Sequence, residues 1–156
     1  MAVNVAGLST IGVKFGYGVE TTAGTKPASF TILDRINSIG EIALDVEQID
    51  ASALEDAITK YISGRADTGG TLDVVVNLTS ETKTQWEGVI TAYQALTEGK
   101  QMWFNTYHKD LGSFFVIAQP PSKIGQPAFD QNGLLTVTIP LTIVSYEGLD
   151  TGIEPA

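Results

Sequence analysis

The run from Gly40 to Leu78 decides how this chain folds. It opens with Glu41-Ile42-Ala43-Leu44-Asp45-Val46-Glu47 and closes with Thr71-Leu72-Asp73-Val74-Val75-Val76-Asn77-Leu78. Apolar and polar residues alternate in both, the period of a half-buried strand. Two strands are therefore predicted, with Ile42, Leu44, Val46, Leu72, Val74 and Val76 turned towards a core. Between them lies Ile49 to Gly70. Hairpin loops usually take about two to five residues, and longer connections are usually functional. The two strands thus carry an arm, at about 49–70.

Within the arm, Leu54, Ala57, Ile58, Tyr61 and Ile62 fall on one side of a possible helix. Ser52-Ala53-Leu54-Glu55 fits a capping box, with the hydroxyl capping the first turn and the carboxylate reaching back. Two readings stand side by side. One is a short amphipathic helix packed on its own domain; the other is an arm whose apolar stripe docks on a neighbour. Gly64 and Gly69-Gly70 permit sharp turns near the end of the arm.

Ahead of the arm, Val13, Phe15, Tyr17 and Val19 alternate with Lys14, Gly16, Gly18 and Glu20, which predicts a strand. Glycines alternating on its second face imply close backbone approach or a bulge. Gly16-Tyr17-Gly18 lacks the third glycine of a nucleotide loop and reads as structure. Residues 21–29 form a loop, and 30–40 a short extended segment leading into the next strand.

Beyond the arm, Thr79 or Ser80 caps a helix over about 80–98, with Trp86, Val89, Ile90, Tyr93 and Leu96 on its core face and Gly99 ending it. Strands follow at Gln101–Tyr107 and Leu111–Gln119, joined by a hairpin. A loop from Pro120 ends in the turn signal Asn132-Gly133. Leu134 to Tyr146 alternates as a long closing strand, in which Pro140 argues for a bulge or an edge. Residues 147–156 read as a loosely held acidic C-terminal tail after a single domain, 1–146. The fold class is mainly β: an antiparallel β-sandwich or partly closed barrel with one flanking α-helix and a long inter-strand arm.

Composition narrows the function. The chain has 156 residues, 43% of them hydrophobic and 17% charged, which is globular rather than disordered. No apolar run approaches the ~20 residues of a membrane span, and the N-terminus lacks the pattern of a signal peptide. There is no cysteine, so disulfides and thiolate metal sites are excluded. A net charge of −9 argues against a tight grip on nucleic acid, which needs a basic footprint.

Catalytic signatures are sparse. His108 is the single histidine, sits beside Lys109 as a turn residue, and has no Gly-x-Ser-x-Gly elbow to accompany it in a triad. Carboxylate pairs such as Glu55-Asp56 are common enough to read as solvated charge, and no calcium-loop spacing occurs. Neither an enzyme nor a cofactor is expected. A competing reading is a monomeric binding module, for carbohydrate as an example, if Trp103, Tyr107 and Phe115 share an exposed face.

Three segments together resemble a known family: Asp34-Arg35-Ile36-Asn37-Ser38-Ile39-Gly40-Glu41-Ile42, then Ile49-Asp50-Ala51-Ser52, then Tyr61-Ile62-Ser63-Gly64-Arg65-Ala66-Asp67-Thr68-Gly69-Gly70-Thr71. They are similar to the major tail (tail tube) proteins of long-tailed bacteriophages, with Ile62, Gly64, Asp67 and Gly69 matching the close of that family's arm. The likeness spans about Val13 to Tyr146. It implies subunits forming homohexameric rings that stack into a hollow tube for DNA, in a virion tail assembled in the host cytoplasm. It also implies a tape-measure protein and tube-end proteins as partners, with DNA passing unbound and no membrane insertion. Inner tubes of contractile tails, tailocins and type VI systems share the fold, so the likeness does not choose among them.

Under that resemblance, Asp50, Leu54, Ile58, Lys60, Tyr61, Ile62, Arg65 and Asp67 form an inter-subunit arm, with Lys60 and Arg65 meeting acidic groups of the next ring. Glu41, Asp45, Glu47, Asp73, Asn77, Thr136, Thr138 and Thr142 line the channel. A wall with no Lys or Arg repels the DNA backbone and offers it no sticking point. The plainer reading makes these the solvent faces of ordinary sheets.

Overall fold

A computed structural model describes residues 6–156. The strands are β1 (Lys14–Val19), β2 (Thr31–Leu33), β3 (Ile36–Ile39), β4 (Asp45–Asp50), β5 (Tyr61–Asp67), β6 (Thr71–Asn77), β7 (Met102–His108), β8 (Gly112–Gln119) and β9 (Thr136–Asp150), with helix α1 at Ser80–Gln94. Seven strands form one antiparallel sheet in the order β2-β1-β7-β8-β9-β6-β3, while β4 and β5 pair only with each other.

The sheet is curled almost into a barrel. Its two outermost strands, β2 and β3, are consecutive in sequence and joined only by Asp34 and Arg35. Such a link spans at most about 11 Å between Cα atoms, so the opposite edges must come together. They do not pair, and the barrel stays open along this seam. Arg35 turns the corner with a left-handed φ of 56°, and its carbonyl accepts from the Asn77 amide at 2.9 Å. Gln85 of α1 bridges the same corner, accepting from the Asp34 amide at 3.0 Å and donating to its carboxylate at 2.8 Å. This is the partly closed, mainly β architecture expected from the alternation.

The core lies inside the curl. Phe15, Leu33, Leu72, Val74, Val76, Phe104, Val116, Val137, Ile139 and Leu141 are buried there with Trp86 and Val89 of α1. Phe15, Phe104 and Trp86 form a mutual cluster, with ring centroids 5.7 Å (Phe15–Phe104), 6.4 Å (Phe15–Trp86) and 6.5 Å (Trp86–Phe104) apart. Thr79 caps the helix: its hydroxyl accepts from the Thr82 amide at 3.2 Å, and its own amide donates to the Thr82 hydroxyl at 2.8 Å. The helix stops at Gln94 rather than about 98. The Leu96 amide bonds back to the Tyr93 carbonyl at 3.2 Å, and Gly99, at φ 80°, completes the reversal.

Pro140 stands on an edge, as expected. The Thr136–Leu141 half of β9 pairs only with β6, and β8 joins β9 from Thr142 onward. The missing proline N–H therefore breaks no ladder on the unpaired side.

A second layer closes the outer face of β1, β7 and β8. Phe30, Trp103 and Phe115 cluster there under Ile153. Glycine makes this possible: a Cβ on Gly16 would lie 2.7 Å from the Thr31 carbonyl oxygen and 2.8 Å from Pro155 Cβ, the close approach expected from the alternating glycines. Residues 147–156 are not a loose tail. β9 runs on through Asp150. The Ile153 carbonyl then accepts from Asn105 Nδ2 at 2.6 Å, and Ala156 bonds in both directions to the backbone of Phe30 and Ile32. Ion pairs Lys14–Glu154 and Lys26–Asp150 (3.0 Å) flank this strap.

Candidate assembly surfaces

Three surfaces stand out: the arm, the outer face of β3, β6 and β9, and an open end of the barrel. The arm differs from the sequence expectation in its construction. The first strand is Asp45–Asp50 rather than Glu41–Glu47, and it pairs with Tyr61–Asp67, so the arm is itself a β-hairpin. Ala51–Lys60 is its tip and holds no helix. Turn chemistry displaces the capping box there. The Asp50 carboxylate accepts from the Ser52 amide (2.9 Å), the Ser52 hydroxyl accepts from the Lys60 amide (2.7 Å), and the Asp56 carboxylate accepts from the Ala53 amide (2.8 Å). These amides lower the carboxyl pKa values of Asp50 and Asp56.

The hairpin buries almost nothing. Every residue of β4 is exposed, and so is every residue of β5 except half-buried Gly64. Leu54 and Ile58 at the tip, with Tyr61 and Ile62 on β5, present their apolar surface to solvent. Leu44 and Val46, expected in the core, are exposed at the foot of the arm, and only Ile42 packs against the core from the side. The reason is topological: the chain leaves the main sheet after Gly40, whose amide donates to Asp73, so β4 has no layer beneath it. An isolated two-stranded hairpin is marginally stable in water, and contiguous exposed apolar surface marks contact with another molecule. Lys60 is engaged within the arm, 2.9 Å from Asp56, whereas Arg65 is in no ion pair among the described residues.

The outer face of the main sheet carries five of the channel candidates. Register sets Asn77 opposite Thr136 and Thr71 opposite Thr142, with Asp73 opposite Pro140 and Thr138 opposite Val75. Asn37 of β3 extends the face, donating to the Asn77 side chain at 3.0 Å. None of β3, β6 and β9 contains Lys or Arg. The remaining candidates lie elsewhere: Asp45 and Glu47 on the arm, Glu41 in the segment leading to it.

The aromatic platform of the competing reading is covered. Trp103 and Phe115 are buried beneath Phe30 and Ile153, and the Lys26 ammonium sits 4.3 Å from the Phe115 ring centroid. Trp103 Nε1 donates to Glu20 at 2.9 Å. Burial alone would raise the Glu20 pKa; donation from Trp103, Gly24 and Gln101 outweighs it and lowers the pKa.

Sequence reasoning missed the third surface, the open end of the barrel. There a cavity of about 580 Å³ is lined by Phe15, Ile39, Ile42, Thr106, Phe114 and Tyr146 among others. Among the described residues, no Asp, Glu, Lys or Arg lines it. His108 at its edge accepts from the Asp110 amide through Nδ1 and meets the Ser9 carbonyl through Nε2 (2.8 Å), so both nitrogens are occupied in a turn. Only the alternation of Thr106 and His108 with outward-facing Tyr107 hinted that polar groups line this end of the interior.

No family model and no curated protein sequence matches the chain. Solved structures do. The tail of the empty gene transfer agent (GTA) particle, refined with C6 helical symmetry, aligns at TM-score 0.52 and 14% identity, over 78% of this chain and 85% of that one. A chain of the native GTA virion aligns at TM-score 0.59 and 10% identity, over 93% and 100%. A chain of the six-fold symmetrised baseplate of the anti-feeding prophage aligns at TM-score 0.51 and 12% identity, over 99% of each. The chain shares its fold with these chains of the GTA tail, the GTA virion and the anti-feeding prophage baseplate.

Proposed function

We propose that this chain is a structural, non-enzymatic subunit of a phage-like tail, assembling with itself as homohexameric rings stacked into a hollow tube. The exposed arm carries the proposal. A hairpin with apolar side chains on display and nothing beneath it is costly for a monomer and explicable as half of an interface. The shared fold and the symmetry of the neighbouring particles support the same reading.

The charge-poor, Thr-rich face of β3, β6 and β9 is the proposed lumen, with Asp73 supplying a negative point in each subunit and no cation to hold DNA. Of nine basic residues, Lys14, Lys26, Lys60 and Lys83 are in ion pairs. Arg35, Arg65, Lys100, Lys109 and Lys123 are in none among the described residues and are available to bridge acidic neighbours. Exposed pairs contribute only ~0–1 kcal/mol each, but a ring repeats them. A tape-measure protein, tube-end proteins and passing DNA complete the proposed setting, a virion tail built in the host cytoplasm. The inner tube of a contractile tail or of a related injection system uses the same geometry.

Deleting residues 45–67, so that Gly69-Gly70 turns directly into β6, tests the arm. The domain should remain folded, because its core lies within the other strands, and should no longer stack. Stacking by the deletion variant would remove the arm from the mechanism.

A further inference from the structure

We infer that the open end of the barrel is the receptor for the arm tip of a second copy of this chain, an inference that rests on the self-assembly proposed above. The two surfaces are chemically matched. The cavity is apolar with a few hydroxyl and amide groups, and among the described residues no Asp, Glu, Lys or Arg lines it. An ionic ligand would find no counter-charge there. The tip offers Leu54 and Ile58, its most exposed large apolar side chains. Its Asp56 and Lys60 neutralise each other at 2.9 Å, leaving Glu55 as the unpaired charge of the tip. Each surface therefore supplies the apolar partner that the other lacks; the Asp56–Lys60 pair enters neutralised, and Glu55 is the one tip charge that must stay in solvent.

Geometry excludes the chain's own tip. Gly40 and Ile42 line the cavity, and β4 begins at Asp45. The arm thus springs from the rim of its own cavity and carries its tip away along a six-residue strand, about 20 Å at ~3.3 Å per residue. A paired hairpin that leaves the rim does not bend back into it. The occupant must be another molecule's arm. Because arm and cavity are different surfaces of one chain, the contact is heterologous: every copy gives one tip and receives one. Such contacts propagate into rings or open filaments rather than stopping at a dimer.

The absence of cysteine makes the test clean. A double variant, Ser38→Cys at the cavity lining with Ile58→Cys at the tip, is assembled as the full chain and oxidised. Both positions are exposed, so neither change disturbs the core. The expected result is a ladder of disulfide-linked oligomers whose mapped peptides join position 58 to position 38. A control pairs Ile58→Cys with Thr91→Cys, which lines a separate groove beside α1, and should give no 58–91 link. Polymers visible by light scattering but lacking the 58–38 link would overturn the receptor and leave self-assembly standing. A chain that stays monomeric, unlinked at any concentration, would overturn both.

Discussion

Asp45 lies directly opposite Asp67 across the foot of the arm. Two carboxylates in a cross-strand pair repel, and neither is in an ion pair among the described residues. Asp67 has a local reason to be there, since its carboxylate accepts from the Gly69 amide at 2.9 Å and holds the turn into β6. Asp45 has none among the described residues. Asp45→Asn should therefore strengthen the isolated hairpin by about 0.2–1 kcal/mol. Hydrogen exchange of the β4 and β5 amides reads this directly: protection should rise in the variant, and unchanged protection would mean that solvent already screens the pair.

Gly16 is where the strap meets the barrel. An added methyl group at 2.7 Å from a backbone oxygen cannot be absorbed by a side-chain rotation. Gly16→Ala should displace Pro155 and the end of the chain while the interior core persists. We expect a loss of about 1–3 kcal/mol in denaturant unfolding, with increased quenching of Trp103 fluorescence as its cover lifts. A variant with unchanged stability would show that the strap does not press on β1.

Glu20 makes the outer layer acid-sensitive. Its folded pKa is lowered from 4.5, so its contribution to stability is present above that value and is lost as pH falls through the depressed folded value. Glu20→Gln removes the charge and turns an amide NH₂ towards groups that donate, costing about 1–3 kcal/mol at neutral pH. The variant should also lose part of the acid limb of the stability profile. Parallel acid limbs in the two proteins would assign acid unfolding to other carboxylates.

The proposed lumen is tested by reversing its charge. Asp73→Lys together with Thr142→Lys places cations on the exposed face of β6 and β9, outside the core. Folding and tube assembly should be preserved and DNA delivery reduced. Normal delivery by such tubes would place this face away from the DNA path.

Much of this architecture was legible because local signals agreed with the fold. In β6 and β9 the alternation is strict and one face is buried, so Leu72, Val74, Val76, Val137, Ile139 and Leu141 announce themselves. Thr79 and Gly99 bracket the helix region for the reasons expected of a cap and a reversal. The arm was harder. Leu54, Ile58, Tyr61 and Ile62 mimic a helical stripe, yet Ser52, Asp50 and Asp56 spend their side chains on turn bonds. With no core beneath it, β4 carries no burial pattern to read. The strap was hidden for a different reason: its partners Asn105 and Ser113 are 48 and 40 residues away in sequence. The open barrel end is invisible to any local pattern, since its lining comes from β1, β3, β6, β7, β8 and β9, which only the curled sheet brings together.

The central claim is that the chain polymerises into a tube. Electron microscopy of the concentrated purified protein, alone and with an assembly partner, tests it most directly. The account predicts hollow tubes of stacked rings with six-fold symmetry. Persistent monomers without tubes under both conditions would contradict it.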